Sequence, residues 1–135
     1  MASILRVNTL TDASSNNSVP LATVAQGSAK VRAQYMALTD TLQTGALNNS
    51  SVTDNATGDF THAFSSSFSD IKYSVFGDVQ YLAGTSTAVG IYGPQDNTAR
   101  TTGQVRMESY FLAVSTSRTN FDHDVNDLAC YGDLA

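Results

Sequence analysis

Ser51-Val52-Thr53-Asp54-Asn55-Ala56-Thr57-Gly58-Asp59-Phe60-Thr61-His62-Ala63-Phe64 is the stretch that decides the fold. Strand formers at residues 51–53 and 59–64 flank a polar run, Asp54-Asn55-Ala56-Thr57-Gly58, which ends in glycine; this is the pattern of a β-hairpin with a five-residue loop. Gly58 is expected at positive φ, a conformation that residues with a Cβ resist. Because side chains alternate along a strand, Phe60, His62 and Phe64 share one face. Two phenylalanines make that face the inward or inter-subunit one. His62 is therefore expected to be neutral with a lowered pKa, since burial penalises the charged imidazole. A carboxylate from Asp54 or Asp59 beside it would reverse the shift.

Strand signals recur on both sides of the hairpin. Upstream, Val31, Ala33, Tyr35 and Ala37 alternate with Arg32, Gln34 and Met36, which predicts a half-buried strand followed by a loop to residue 42. Residues 4–10 predict a short strand, and Asp12-Ala13-Ser14-Ser15-Asn16-Asn17-Ser18 is a run of turn formers. Residues 11–28 read as an extended connector with room for one helical turn near residues 20–26. Downstream, strands are expected at 71–76, with Tyr73 and Val75 on one face, at 79–82, and at 88–92, stopped by Gly93-Pro94. A polar loop over 94–103 leads to the longest strand, 104–115, and a last strand spans 128–131. In 104–115 both faces are mixed: Val105, Met107, Ser109, Phe111 and Ala113 on one, Arg106, Glu108, Tyr110, Leu112 and Val114 on the other. A strand held between a core and a neighbouring subunit would read this way.

No window carries a useful apolar period of 3.6, and no internal repeat is present. About seven to nine short strands separated by turn signals predict an all-β fold. The expected architecture is a single antiparallel β-sandwich, jelly-roll or Ig-like, over residues 29–135, preceded by an extended N-terminal arm over residues 1–28.

The 135 residues suit one domain. Charged residues make up only 14% of them, against about a quarter in ordinary soluble domains. Ser and Thr, roughly a quarter of the chain, supply the missing surface polarity. Extracellular β-proteins, fibres and capsid components share this composition more often than metabolic enzymes do. The net charge of −5, with Lys30 and Arg32 the one close pair of cations, argues against nucleic acid, whose binding rests on clustered Lys and Arg. No segment is apolar for long enough to span a bilayer. The opening Met-Ala-Ser-Ile-Leu-Arg-Val lacks the pattern of a signal peptide, so synthesis in the cytosol without export by the usual route is expected. The glycosylation-like tripeptides at Asn16, Asn48, Asn49 and Asn55 then read only as Ser/Asn-rich loops. Cys130 is the single cysteine, which excludes an intrachain disulfide and reads as a small buried apolar residue.

No catalytic, cofactor-binding or metal-binding constellation is legible. His62 and His123 lie in no known nucleophile or zinc spacing. Asp122-His123-Asp124 with Asp127 is the densest set of metal-ligand types, but neighbours in a strand diverge and the set would chelate only from a loop; a solvated acidic turn is expected instead. Asp54, Asn55 and Asp59 lack calcium-loop spacing and read as turn formers. Tyr35, Tyr73, Tyr81, Tyr92, Tyr110 and Tyr131 suit core edges and interfaces. Gathered on one concave face they would stack sugars, which defines the alternative reading, a carbohydrate-binding β-sandwich module.

Several stretches resemble a known family. Ser3-Ile4-Leu5-Arg6-Val7-Asn8-Thr9-Leu10-Thr11-Asp12-Ala13-Ser14-Ser15-Asn16-Asn17-Ser18 is similar to the opening of tail-fibre-like virion proteins of tailed bacteriophages that infect marine and photosynthetic bacteria. Gln26-Gly27-Ser28-Ala29-Lys30, Ser50-Ser51-Val52-Thr53-Asp54-Asn55-Ala56-Thr57-Gly58-Asp59-Phe60-Thr61 and Tyr73-Ser74-Val75-Phe76-Gly77 resemble later blocks in the same order. The blocks cover about half the chain. Ser15 and Ala56 stand where glycine is usual, Val31-Arg32-Ala33 where an aromatic is common, and His62 where a β-branched residue is usual; beyond Tyr81 the likeness is weak. The resemblance implies a structural virion protein, tail-fibre-like or capsid-decorating, with no enzymatic activity and no cofactor. It implies an N-terminal segment that docks on other tail or capsid proteins and a β-rich head that associates as a homotrimer and contacts the host surface, with a glycan as one target. Its place would be the virion, without membrane insertion.

Overall fold

The computed structural model describes residues 8–11, 18–81, 89–95, 98–112 and 118–135. Among them the chain is almost wholly β, in antiparallel sheets. β1 (Thr9–Thr11) and β2 (Ser18–Pro20) form a small hairpin that leads into α1 (Leu21–Gly27), a helix of 7 residues. β3 (Val31–Met36), a 3-10 turn (Ala37–Thr39) and β4 (Thr41–Leu42) follow, then the hairpin of β5 (Asn49–Ala56) and β6 (Asp59–Phe64). The remaining strands are β7 (Ser74–Gln80), β8 (Val89–Pro94), β9 (Gln104–Leu112), β10 (Arg118–Asn120) and β11 (Val125–Tyr131). One sheet runs β4-β3-β11-β7. The other runs β10-β9-β6-β5, with β8 also on β9.

Alternation decides which side chains meet between these sheets. Val31, Ala33 and Tyr35 of β3 and Leu128 and Cys130 of β11 are buried from one sheet; Phe60 and Phe64 of β6, Tyr92 of β8, and Val105 and Met107 of β9 are buried from the other. They form one apolar cluster with Phe68 and Tyr73. Tyr35 packs edge-on against Phe60 with centroids 5.0 Å apart, and Phe68 stacks on Tyr73 at 4.2 Å. Each such ring contributes about 1.5–3 kcal/mol through burial. The Tyr73 hydroxyl donates to the carbonyls of Thr101 and Gln104, and Arg100 donates to the Tyr73 carbonyl. These bonds pin the loop before β9 to the core. Cys130 is buried, and its thiol is pushed up to about 12 by that burial.

The structure corrects several expectations. The β5–β6 turn is two residues, Thr57-Gly58, because Ala56 pairs with Asp59 and a register shift beyond Asp54 takes up Asn55. The Asn55 amide reaches back across the hairpin to Thr61 Oγ1 at 2.9 Å, which favours that bulge over a wider loop. Residues 18–20 are extended, as β2, and the helical segment expected near residues 20–26 is α1, which follows directly on Pro20 and is longer than one turn. The strands expected at 71–76 and 79–82 are one, β7, whose pairing with β11 runs from Ser74↔Tyr131 to Gln80↔Val125. β4 and β10 were not anticipated. The proposed strand portions at residues 4–7, 82, 88 and 113–115, and the turn run at 12–17, lie outside the described residues.

β9 resolves its own ambiguity. Val105, Met107 and Ser109 face inward. On the opposite face Arg106 pairs with Asp59, Arg118 pairs with Glu108, and Arg118 lies 4.4 Å from the Tyr110 ring centroid. Side chains of this chain thus account for much of the burial that the mixed pattern suggested.

Gly58 has φ +66, as the hairpin reading requires. A Cβ there would also overlap the Ser109 carbonyl oxygen and stand 2.7 Å from the Phe121 nitrogen, both rigid backbone atoms. Gly58→Ala is expected to destabilise the fold by about 3 kcal/mol or more. Gly93→Ala, with nothing within 4 Å of the added carbon, should stay within about 0.5 kcal/mol. Urea unfolding of the two variants checks this; equal midpoints would show that the turn does not dock on β9.

Candidate functional site

Among the described residues, polar side chains gather inside the core, on the outer face of the five-stranded sheet, and on the outer face of the four-stranded sheet. In the core, His62 is fully enclosed. The Asn49 amide nitrogen donates to the Ser51 carbonyl at 3.1 Å, which turns Asn49 Oδ1 toward His62 Nδ1, 3.0 Å away. The imidazole proton therefore sits on Nδ1, and Nε2 accepts from the Tyr92 hydroxyl at 2.5 Å. Burial lowers the His62 pKa to about 4 and raises that of Tyr92 well above its ordinary value. Both shifts keep the pair neutral.

Ser109 and His123 form a second internal pair, with Ser109 Oγ 2.6 Å from His123 Nδ1. A hydroxyl beside an imidazole is the arrangement of an activated nucleophile, yet Ser109 has 0% exposure and packs under the aromatic contact of His123 with Phe121. Burial lowers the His123 pKa. The sequence cluster around it is indeed in a loop, but it disperses and is not the solvated turn expected. Asp122 accepts from the Gly58 amide at 2.6 Å, His123 turns inward, and Asp127 on β11 accepts from Gln34. Among the described residues no three His, Cys, Asp or Glu stand together as metal ligands.

On the outer face of the five-stranded sheet Asp59 is held by both nitrogens of the Arg106 fork, and Gln95 donates to Glu108 at 3.3 Å. The Arg106 bonds hold the Asp59 carboxyl below its usual range.

The outer face of the four-stranded sheet is open. Register sets its side chains in rows: Gln34, Asp127 and Asp78 cross the sheet in one, Arg32, Ala129 and Phe76 in the next, and Tyr131 and Ser74 follow. Phe76 is 62% exposed, with Tyr131 edge-on at 5.6 Å. Ala129 between larger neighbours leaves a depression of about 280 Å³ beside Phe76, and a second of about 270 Å³ lies over Gly45 and Gln43; Arg32 and Asp127 border both. The six tyrosines do not share one face. Tyr35, Tyr73 and Tyr92 are in the core, Tyr110 lies under Arg118, Tyr81 contacts Phe121, and only Tyr131 joins this surface. The Phe76–Tyr131 pair was missed in the sequence, although Tyr73 and Val75 facing inward already puts Phe76 outside.

No protein-family model, curated protein or solved structure matches this chain.

His62 makes stability depend on pH. Its pKa is lower in the folded chain (about 4) than the ordinary 6.5, so between those values the unfolded chain binds more protons. The stability linked to His62 is fully present above about pH 6.5 and is lost as pH falls toward 4, by about 3 kcal/mol. His62→Val removes this term but orphans Asn49 Oδ1 and the Tyr92 hydroxyl. It should be less stable than the parent at pH 8 and lose less stability on acidification to pH 5. Parallel urea-unfolding profiles for parent and variant would show that His62 titrates as in the unfolded chain.

Proposed function

We propose that this chain is a non-catalytic structural protein of a tailed-phage particle, a small tail-fibre-like or capsid-decorating subunit. Residues 1–28 are its attachment arm, and residues 29–135 are a β-sandwich head that meets the host surface and associates as a homotrimer. The observation that carries this reading is the separation of the N-terminal elements from the core. Among the described side chains, none from β1, β2 or α1 belongs to the apolar cluster, and Leu10, Val19 and Val24 are exposed on them. Such elements add little to the stability of the head, while a partner's surface or sheet edge can cover their apolar side chains. The commitment of both histidines to internal hydrogen bonds fits a molecule that works through its surfaces. The alternative, a carbohydrate-binding β-sandwich module, is favoured by the exposed Phe76 ring, and it differs from the first reading in needing neither arm nor trimer.

Removing residues 1–28 should leave a head whose unfolding midpoint moves by less than about 4 °C but which no longer incorporates into particles. A truncated chain that is unfolded, or one that incorporates normally, overturns the assignment of the arm. Light scattering on the full chain should give three times the chain mass at micromolar concentration; a monomer mass overturns the trimer.

A further inference from the structure

We propose that the outer face of the four-stranded sheet binds a neutral oligosaccharide, two adjacent sugar rings astride the ridge of Arg32 and Asp127 with one ring on Phe76. This rests on the reading of the chain as a host-contacting subunit and names the chemistry of that contact. Three features of the face point to a sugar. Phe76 presents an aromatic ring to solvent with Tyr131 against its side, a platform for the C–H face of a pyranose. Asp78, which accepts from the Val79 amide, and Asp127, which accepts from Gln34, lie directly opposite each other on β7 and β11, and each has a second carboxylate oxygen to offer a sugar hydroxyl. Arg32, which gives one bond to the Gly45 carbonyl, stands across Ala129 from Phe76 and offers its guanidinium to ring and hydroxyl oxygens.

The size and the charge of the face narrow the ligand. Each depression is just below the ~300–1,000 Å³ of pockets for drug-sized ligands, and the two adjoin along one ridge. That suits neighbouring rings of a chain. The surroundings are Gln34, Ser74, Asp78 and Asp127, and the apolar side chains are the two rings, Ala129 and, beyond Arg32 in the same row, the exposed Leu47. A subunit interface needs roughly 800 Å² per partner and a centre depleted of carboxylates. Two carboxylates against one arginine, on a chain of net charge −5, repel uronic and sialic acids and select neutral sugars.

The full chain is titrated with maltose, cellobiose, lactose and digalacturonate while the aromatic resonances of Phe76 and Tyr131 are followed by NMR. At least one neutral disaccharide should shift them at millimolar concentration or below, and digalacturonate should not. Phe76→Ala should weaken that binding at least about tenfold, and the isosteric Asp127→Asn several-fold, with unfolding midpoints unchanged. Leu112→Ala on the other sheet should bind as the parent does. The proposal is overturned if no neutral disaccharide shifts the two rings, if binding survives both substitutions, or if digalacturonate alone binds. It is equally overturned if Phe76→Ala lowers the mass seen by light scattering, because the face then covers a second copy. A parent chain that binds no neutral disaccharide, yet needs residues 1–28 to incorporate into particles, removes this proposal alone. Incorporation that ignores residues 1–28 removes the attachment reading and leaves the sugar measurement standing.

Discussion

Gly58 holds the two halves of the fold in register by committing both of its peptide groups. Its carbonyl accepts from the Ser109 amide at 2.8 Å and its amide donates to Asp122 at 2.6 Å, while the Ser109 carbonyl accepts from the Phe121 amide at 2.9 Å. The tip of the β5–β6 hairpin is thereby tied to the middle of β9 and to the loop that carries the chain from β10 to β11. That loop is where the chain leaves one large sheet for the other, so the clamp sets how β11 enters its sheet. The register of β11 in turn fixes Asp127 opposite Asp78 and Ala129 opposite Phe76. The open outer face is therefore positioned by backbone contacts on the far side of the molecule, where no Cβ fits.

The buried polar groups follow from the same clamp. Once β6 and β9 are adjacent, His62 lies opposite Val105, and its ring must find partners without water. Asn49 supplies the acceptor and Tyr92 the donor, which satisfies both nitrogens in one tautomer. Ser109 and His123 satisfy each other one layer away. Asn126 donates to the His123 carbonyl, while its Oδ1 has no hydrogen-bond partner among the described residues. Directional bonds of this kind favour one packing over alternatives of similar apolar area, which matters when side chains as similar as Phe60, Phe64 and Phe68 fill neighbouring positions.

The sequence carried the β class, the central hairpin, Gly58 and the inward His62 because each rests on a period of two or on a backbone conformation only glycine adopts readily. Those are local properties. α1 reads from sequence as no more than a single turn because seven residues hold too little periodicity, and one of its carbonyls, that of Ala25, is satisfied from outside by Lys30. β10 has three exposed residues and exists because β9 offers an unpaired edge beyond β6. The Asp122-His123-Asp124 turn differs from the solvated one expected because Asp122 accepts from the Gly58 amide, a partner far away in sequence, and His123 turns inward. The outer face was half legible: alternation put Phe76 outside, but the small residue beside it and the opposed carboxylate come from a strand about fifty residues away, and one sequence contains no register between strands.

The scarcity of charge has a structural consequence at the sheet edges. Lysines on an exposed edge strand are a common guard against pairing with other chains, and β5, the edge of the five-stranded sheet, has none. Its protection lies in backbone irregularity. The register shifts between Asn49 and Ser51 and between Asp54 and Ala56, and Asn48 before the strand has φ +52. A strand broken at both ends offers only a short regular edge to an incoming chain. Its hydroxyls and amides are also engaged locally: Ser50 bonds the Ala63 carbonyl, Asn49 that of Ser51, and Asn55 the side chain of Thr61. A chain rich in Ser, Thr and Asn can thus keep a surface low in charge without open-ended strand pairing. Of its charges, the Asp59–Arg106 and Glu108–Arg118 pairs close the outer face of one sheet, while Arg32, Asp78 and Asp127 stand on the open face of the other.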